Sequence, residues 1–196
     1  MSVDLSTTYM GLKLKNPLIA SASPLTQHLS NFRKLEDFGI AAIVKHSLFE
    51  EQLKGEAYEL NYHLSQGTNS YAESLDYFPK PDDFVLGPEE YLSHIRKAKK
   101  AVGIPIIGSL NGYSPGGWVK YAKLIEEAGA DALELNIYFI PTDANKEAAS
   151  IEKEYLDIIT SVKKSISIPV AVKMNPFFTN LANMAKRIDA CGADGL

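Results

Sequence analysis

Ile168-Pro-Val-Ala-Val-Lys-Met-Asn175 decides how the rest of the chain reads. Apolar or small residues run up to Lys173, and Asn175 follows two positions on. A strand covered on both faces carries a continuous apolar run in place of strict alternation. A lysine at the end of such a run marks where the strand leaves the core. In parallel α/β proteins that carboxyl edge is where ligands bind. The cadence recurs: Lys99 to Asn111 lies over Lys163 to Asn175 at a constant offset of 64 residues. Glu126 to Leu133 likewise lies over Asp189 to Leu196 at an offset of 63.

The other elements fall into place around these repeats. Val3 to Tyr9 and Gly11 to Lys15 read as a hairpin turning at Met10-Gly11. Pro17 to Ala20 starts a first buried strand that ends in the small residues Ser21, Ala22 and Ser23. Small side chains admit a ligand close to the backbone, although this stretch alone reads as an ordinary strand-to-helix loop. Leu29 to Phe38 is a helix with Ser30 as its candidate cap and Gly39 as its stop. Ile40 to Val44 is the second strand, with Lys45, His46 and Ser47 at its exit. One lysine after a buried strand favours a solvated cap over a ligand contact. Lys45 and Lys173 at equivalent ends point toward a site, and His46 reads as a loop residue.

Phe49 to Gly87 is long, polar and rich in Tyr, Asn and Ser. A loop of this length in a compact domain has a task or is disordered. Tyr62, Tyr71, Tyr77 and Phe78 favour burial, so the segment reads as a lid or site wall. The remaining units are a helix from Pro88 to about Val102, a strand from Ile104 to Leu110 exiting at Asn111, and a helix from Trp118 to Ala128. A strand from Asp131 to Asn136, a helix from Lys146 to about Ser165, the opening strand, and a helix from Leu181 to Cys191 follow. The second copy of the shorter repeat stops at Leu196, where its strand has barely begun.

The 196 residues have ordinary apolar content and a net charge of −4, with both signs interspersed. That pattern gives no footprint for nucleic acid or an anionic membrane. The single cysteine, Cys191, excludes an internal disulfide and a cysteine-based zinc site; it reads as a small apolar residue near a helix end. No metal site is expected. The N-terminus lacks the charge and apolar pattern of a signal peptide, and no apolar run approaches spanning length. The expected location is cytoplasmic.

Strand–helix alternation implies a parallel sheet with right-handed crossovers. An open doubly wound sheet would place its site at one switch point, and neither a G-x-G-x-x-G turn nor a P-loop is present. Polar residues stand instead at five successive strand exits: Ser21 to Ser23, Lys45, Asn111, Asn136 and Lys173. A (β/α)8 barrel gathers such residues on one face. The expectation is therefore one domain over 1–196. It holds an N-terminal hairpin, five βα units and the start of strand six of a TIM barrel, incomplete at its C-terminus.

Four stretches in order, Asn16-Pro-Leu-Ile-Ala-Ser-Ala-Ser23, Val44-Lys-His-Ser47, Leu133-Glu-Leu-Asn136 and Val170-Ala-Val-Lys-Met-Asn-Pro176, resemble the dihydroorotate dehydrogenase family of flavin-dependent barrels. The likeness is nearer to the class 1 cytosolic members. It implies FMN at the barrel mouth, lined by Ser21, Ala22, Ser23, Lys45, Asn111, Asn136 and Lys173. It also implies substrate contacts from Lys45, Asn69 and Asn136, and a small cyclic amide such as dihydroorotate, oxidised to orotate in pyrimidine biosynthesis. A homodimer is left open. The family's cysteine or serine base is missing, because Phe139 stands where class 1 members have cysteine. Tyr138, Tyr71 and Ser74 are the nearby alternatives, and no general base is assigned. Strand-seven and strand-eight loops would hold the phosphate, so the 196 residues alone are expected to bind FMN weakly or not at all. Two rival readings remain. One is a Schiff-base lyase or aldolase using Lys173 or Lys45. The other is a flavin-binding homologue without catalysis.

Overall fold

The computed structural model describes residues 3–51, 53, 88–112, 114–138 and 140–196. The expected hairpin is present as β1 (Thr7–Tyr9) and β2 (Leu12–Leu14), paired antiparallel. Its turn needs positive φ at both central positions, and Met10 (φ 50) and Gly11 (φ 74) supply it.

Strands β3 (Ile19–Ala20), β4 (Ala42–Val44), β6 (Ile106–Asn111), β7 (Ala132–Asn136) and β8 (Val170–Lys173) lie side by side in chain order, all parallel. A two-residue strand, β5 (Leu48–Phe49), adds to β6 beyond the end of β4. The helices are α1 (Leu29–Asp37), α2 (Glu89–Ala101), α3 (Pro115–Glu127), α4 (Ala148–Lys163) and α5 (Leu181–Ala190). Helix α1 starts after His28 and no side chain caps it, so the expected Ser30 cap is corrected. Helix α3 starts three residues before the expected Trp118. Ser114 accepts from the Gly117 N–H, and Pro115 takes the first turn, where a missing N–H costs nothing.

The pleat sorts the strand residues into two layers. Ile43, Ile106, Leu110, Leu133, Leu135, Val170 and Val172 pack with the helices. Ile19, Ala42, Val44, Ile107, Ala132 and Ala171 pack on the opposite face, together with Met10 and Leu14 of the hairpin. The hairpin therefore closes the amino end of a curled parallel half-barrel. Beyond β8, Ala171 pairs in parallel with Gly195, and the Val172 N–H donates to the Gly195 carbonyl at 3.0 Å.

The internal repeats have a structural cause. Lys99 Nζ meets both oxygens of Asp131 (2.6 and 2.7 Å), and Asp131 Oδ2 accepts the Ile106 N–H at 2.7 Å. One unit later Lys163 Nζ meets Asp194 at 2.5 Å, and Asp194 accepts the Val170 N–H at 2.7 Å. Glu36 accepts from the Gly103 N–H and Glu126 from the Ser167 N–H, again in matching places. Gly39, Gly129 and Gly192 end the three helices that precede these turns, with φ of 93, 90 and 88. Each unit thus pins the entry of one strand to the helix turn beside it.

Glu50 ties β5 to the start of α3. Its carboxylate is buried at 2% exposure and accepts the Ser114 N–H (2.9 Å) and hydroxyl (2.6 Å). A Cβ on Gly117 would stand 2.0 Å from Glu50 Oε2, whereas one on Gly116 meets nothing within 4 Å. Gly117→Ala is expected to lower stability to urea by about 1–3 kcal/mol, and Gly116→Ala to leave it unchanged or slightly raised. Equal effects from the two variants would contradict the account of this junction.

Candidate functional site

The register of β6, β7 and β8 builds the site. Ser109 is the partner of Glu134, Glu134 of Ala171, and Asn136 of Lys173. All point to the strand face opposite the helices, because Leu133, Leu135, Val170 and Val172 take the helix side. Two positions along a strand is about 6.6 Å. Asn136 and Lys173 therefore stand one row nearer the carboxyl edge than Ser109 and Glu134. Asn111 ends β6 at the same edge and is partly buried, as is Asn136.

These rows are connected. Lys173 Nζ lies 3.0 Å from Glu134 Oε1, the lysine 41% and the glutamate 14% exposed at the side chain. The Ser109 hydroxyl donates to Glu134 Oε1 at 3.4 Å, and Ser109 Oγ and Ser47 Oγ share a 2.8 Å hydrogen bond. A half-buried carboxylate thus receives a lysine from the mouth side and a hydroxyl chain from Ser109 of β6 and Ser47 of the β4–β5 link. Sequence reading did not single out Glu134. Leu133-Glu-Leu reads as a strand with one wet face, and only barrel curvature turns that face inward. The interior alternation of β7 was the available signal.

Lys45 is held elsewhere. It is 5% exposed, and its ammonium lies 4.0 Å from the centroid of the Tyr91 ring, a cation–π contact. Its titratable neighbours Glu90 and His94 belong to α2. It is therefore not brought together with Lys173. Burial lowers the Lys45 amine to about 8, against a partial upward pull from Glu90. Burial first, then the charge of Lys45, lowers His94 to about 4.

Tyr91 completes this corner. The backbone N–H and C=O of Ser109 face the gap between the end of β4 and the start of β5. The Tyr91 hydroxyl donates to the Ser109 carbonyl and accepts from its N–H, each at 3.0 Å. A side chain from α2 thereby takes the place of a missing strand residue, and burial raises its phenol.

At the first strand exit, Ser23 opens a 3-10 turn (Pro24–Thr26), and its carbonyl accepts the Thr26 hydroxyl at 3.0 Å. Ala22 packs on the hairpin side, and Ser21 is exposed. Asn69, Tyr71, Ser74 and Phe139 lie outside the described residues. Tyr138 is half exposed and, with Trp118, Ile137, Asn111 and Asp157, lines a cavity of about 940 Å³ beside the mouth. Among the described residues no group of three His, Cys, Asp or Glu could hold a metal, and no helix is long and apolar enough to cross a membrane.

Two stability tests follow from this corner. Tyr91→Phe leaves two buried backbone groups of Ser109 unpaired and is expected to cost roughly 2–4 kcal/mol in urea unfolding. Lys45→Met is expected to stabilise at pH 7. Below pH 8 the folded state carries the full cost of the buried charge. Between pH 8 and 10.5 it releases the proton that the unfolded chain keeps, so wild-type stability grows with pH. The advantage of Met over Lys should then shrink by up to roughly 3 kcal/mol across that window. An advantage independent of pH would contradict the placement of Lys45.

No family model matches the sequence. The chain is similar to the catalytic subunit of dihydroorotate dehydrogenase B (NAD(+)) from Thermoplasma volcanium: 29% identical over 191 residues, 97% of this chain and 60% of that one. It is similar to the NAD-dependent dihydropyrimidine dehydrogenase subunit PreA of Escherichia coli at 24% identity, covering 100% of this chain and 48% of that one. The chain thus spans less than two thirds of the length of these curated relatives. Among solved structures, phosphonopyruvate hydrolase in complex with oxalate and Mg++ matches with a TM-score of 0.55 at 18% identity, over 91% of this chain and 56% of that one. Dihydrodipicolinate synthase from Agrobacterium tumefaciens matches with a TM-score of 0.53 at 17% identity, over 89% and 51%. These structures speak for the fold alone: a TIM barrel, present here as a parallel half-barrel. The relation in sequence is a distant one to dihydroorotate dehydrogenases, and so to oxidoreductases.

Proposed function

We propose that the protein is an FMN-dependent dehydrogenase acting on a small cyclic amide, with dihydroorotate, and so pyrimidine biosynthesis in the cytoplasm, as its leading substrate assignment. One observation carries the reading: Asn136 and Lys173 are register partners on adjacent strands, on the interior face and at the carboxyl edge. The distant dehydrogenase relatives supply the chemistry class.

The donor set suits the cofactor. A cation and two carboxamides, Lys173, Asn111 and Asn136, can meet the alternating donors and acceptors of a planar ring whose reduced form is an anion. Ser21, Ala22 and Ser23 are small enough for close approach at the first strand exit. When bound, FMN accepts the hydride equivalent released from a substrate C–H bond. Asn136 and Lys173 orient the ring, and Lys173 offsets negative charge that develops on it. Asn136 and Asn69 are assigned to the substrate side. Lys45 joins the cofactor in this proposal only through a rotamer that leaves Tyr91. The base remains unassigned.

A second reading, Schiff-base chemistry, draws on Lys45, whose amine is lowered to about 8. Its place over Tyr91 and away from the mouth weighs against it. Lys173, paired with Glu134, is likewise no free amine.

Purified complete protein is expected to be yellow and to release FMN on denaturation, with no borohydride-trapped adduct at either lysine. Lys173→Ala is expected to weaken FMN binding by about tenfold or more. Colourless protein that binds no added FMN would sink the proposal. A flavin-loaded protein inert toward dihydroorotate would retain the cofactor assignment and overturn the substrate.

A further inference from the structure

The ion pair between Lys173 and Glu134 lies at the proposed cofactor site. Lys173 is the one lysine on the described interior strand face, and its ammonium is turned back to a carboxylate one row below. That carboxylate is in turn held by the Ser109 hydroxyl, and Ser109 by Ser47 in the link between β4 and β5. Strands β6 and β8 and the β4–β5 link therefore converge on one glutamate beneath the lysine. A carboxylate at 3.0 Å cancels much of the positive charge that the lysine presents to anything above it.

We propose that Glu134 is a positioning residue. It holds Lys173 on the β7 side of the mouth and sets how much of the lysine's charge reaches the flavin ring, with Ser109 and Ser47 fixing its orientation. The proposal rests on the flavin reading above. It predicts that this protein's flavin is tuned toward a modest electrophilicity at N5, because the cation beside the ring is partly neutralised. Removing the carboxylate charge frees Lys173 to act as a full cation and makes the ring a stronger acceptor.

Sulfite reads this directly and without turnover. Its sulfur lone pair forms a bond to flavin N5, and the negative charge that results is spread over the ring, where a nearby cation stabilises it. In the complete, flavin-loaded protein, Glu134→Gln keeps the shape and removes the charge. It is expected to tighten sulfite dissociation by about tenfold or more and to raise the flavin reduction potential. Glu134→Asp keeps the charge and is expected to stay within about threefold of wild type. Equal sulfite affinity in wild type and Glu134→Gln, or weaker affinity in Glu134→Gln, overturns the role of Glu134 and leaves the flavin reading standing. Sulfite binding tightened in Glu134→Asp to the same degree as in Glu134→Gln would mark a packing effect and also overturn it. Wild-type protein without FMN, and unable to take it up, overturns both readings together.

Discussion

The pleat of β6, β7 and β8 is the constraint on which the site depends. Alternate residues of these strands must fill the helix layer, and Leu110, Leu133, Leu135, Val170 and Val172 do so. Everything polar on the same strands is thereby forced to the other face. Parallel register then aligns Ser109 with Glu134 and Asn136 with Lys173. No loop has to place these groups. The rows are fixed by the same hydrogen bonds that make the sheet, and the hairpin closes the amino end with Met10 and Leu14, so the polar rows lie toward the carboxyl end of the described half-barrel. Rigid strand ends are suited to holding a planar ligand, because the supporting atoms move little when it binds.

The strand entries repeat one device, and the strand exits do not. Lys99 with Asp131 and Lys163 with Asp194 fasten the entries of β6 and β8 in the same way, which is why the sequence repeats there. At the exits the last residues are two amides, Asn111 and Asn136, and a lysine, Lys173, with no shared ion pair among them. That division follows the usual separation in this architecture between a stability face and a functional face. The Tyr91 hydroxyl is the exception that proves how strictly backbone groups are paired. Where β4 ends before β5 begins, a helix side chain enters to satisfy both backbone groups of Ser109.

Much of this was legible in the sequence, for physical reasons that differ by residue. The apolar runs at Ile43, Ile106 and Val170 announced buried parallel strands, and Gly39, Gly129 and Gly192 announced the helix ends, since a positive φ there favours glycine. The start of α3 was missed because Ser114-Pro-Gly-Gly117 reads as a breaker, although a serine cap followed by proline is also a helix opening. Strand β5 was too short to carry a period. Glu134 was hidden for a deeper reason. Nothing local says that the wet face of β7 curls inward; that depends on all five strands together. Lys45 shows the converse: its place at a strand exit was correct, but the direction of its side chain toward Tyr91 depended on a helix some 45 residues away.

The central claim is that the row formed by Asn111, Asn136 and Lys173 holds a flavin ring. The most direct measurement is a crystal structure of the complete protein purified without added ligand. The account predicts a planar tricyclic ring across the carboxyl ends of β6, β7 and β8, with Asn136 and Lys173 within hydrogen-bond distance of its polar atoms. A ligand covalently joined to Lys173 or Lys45, or a flavin bound away from these strand ends, would contradict it.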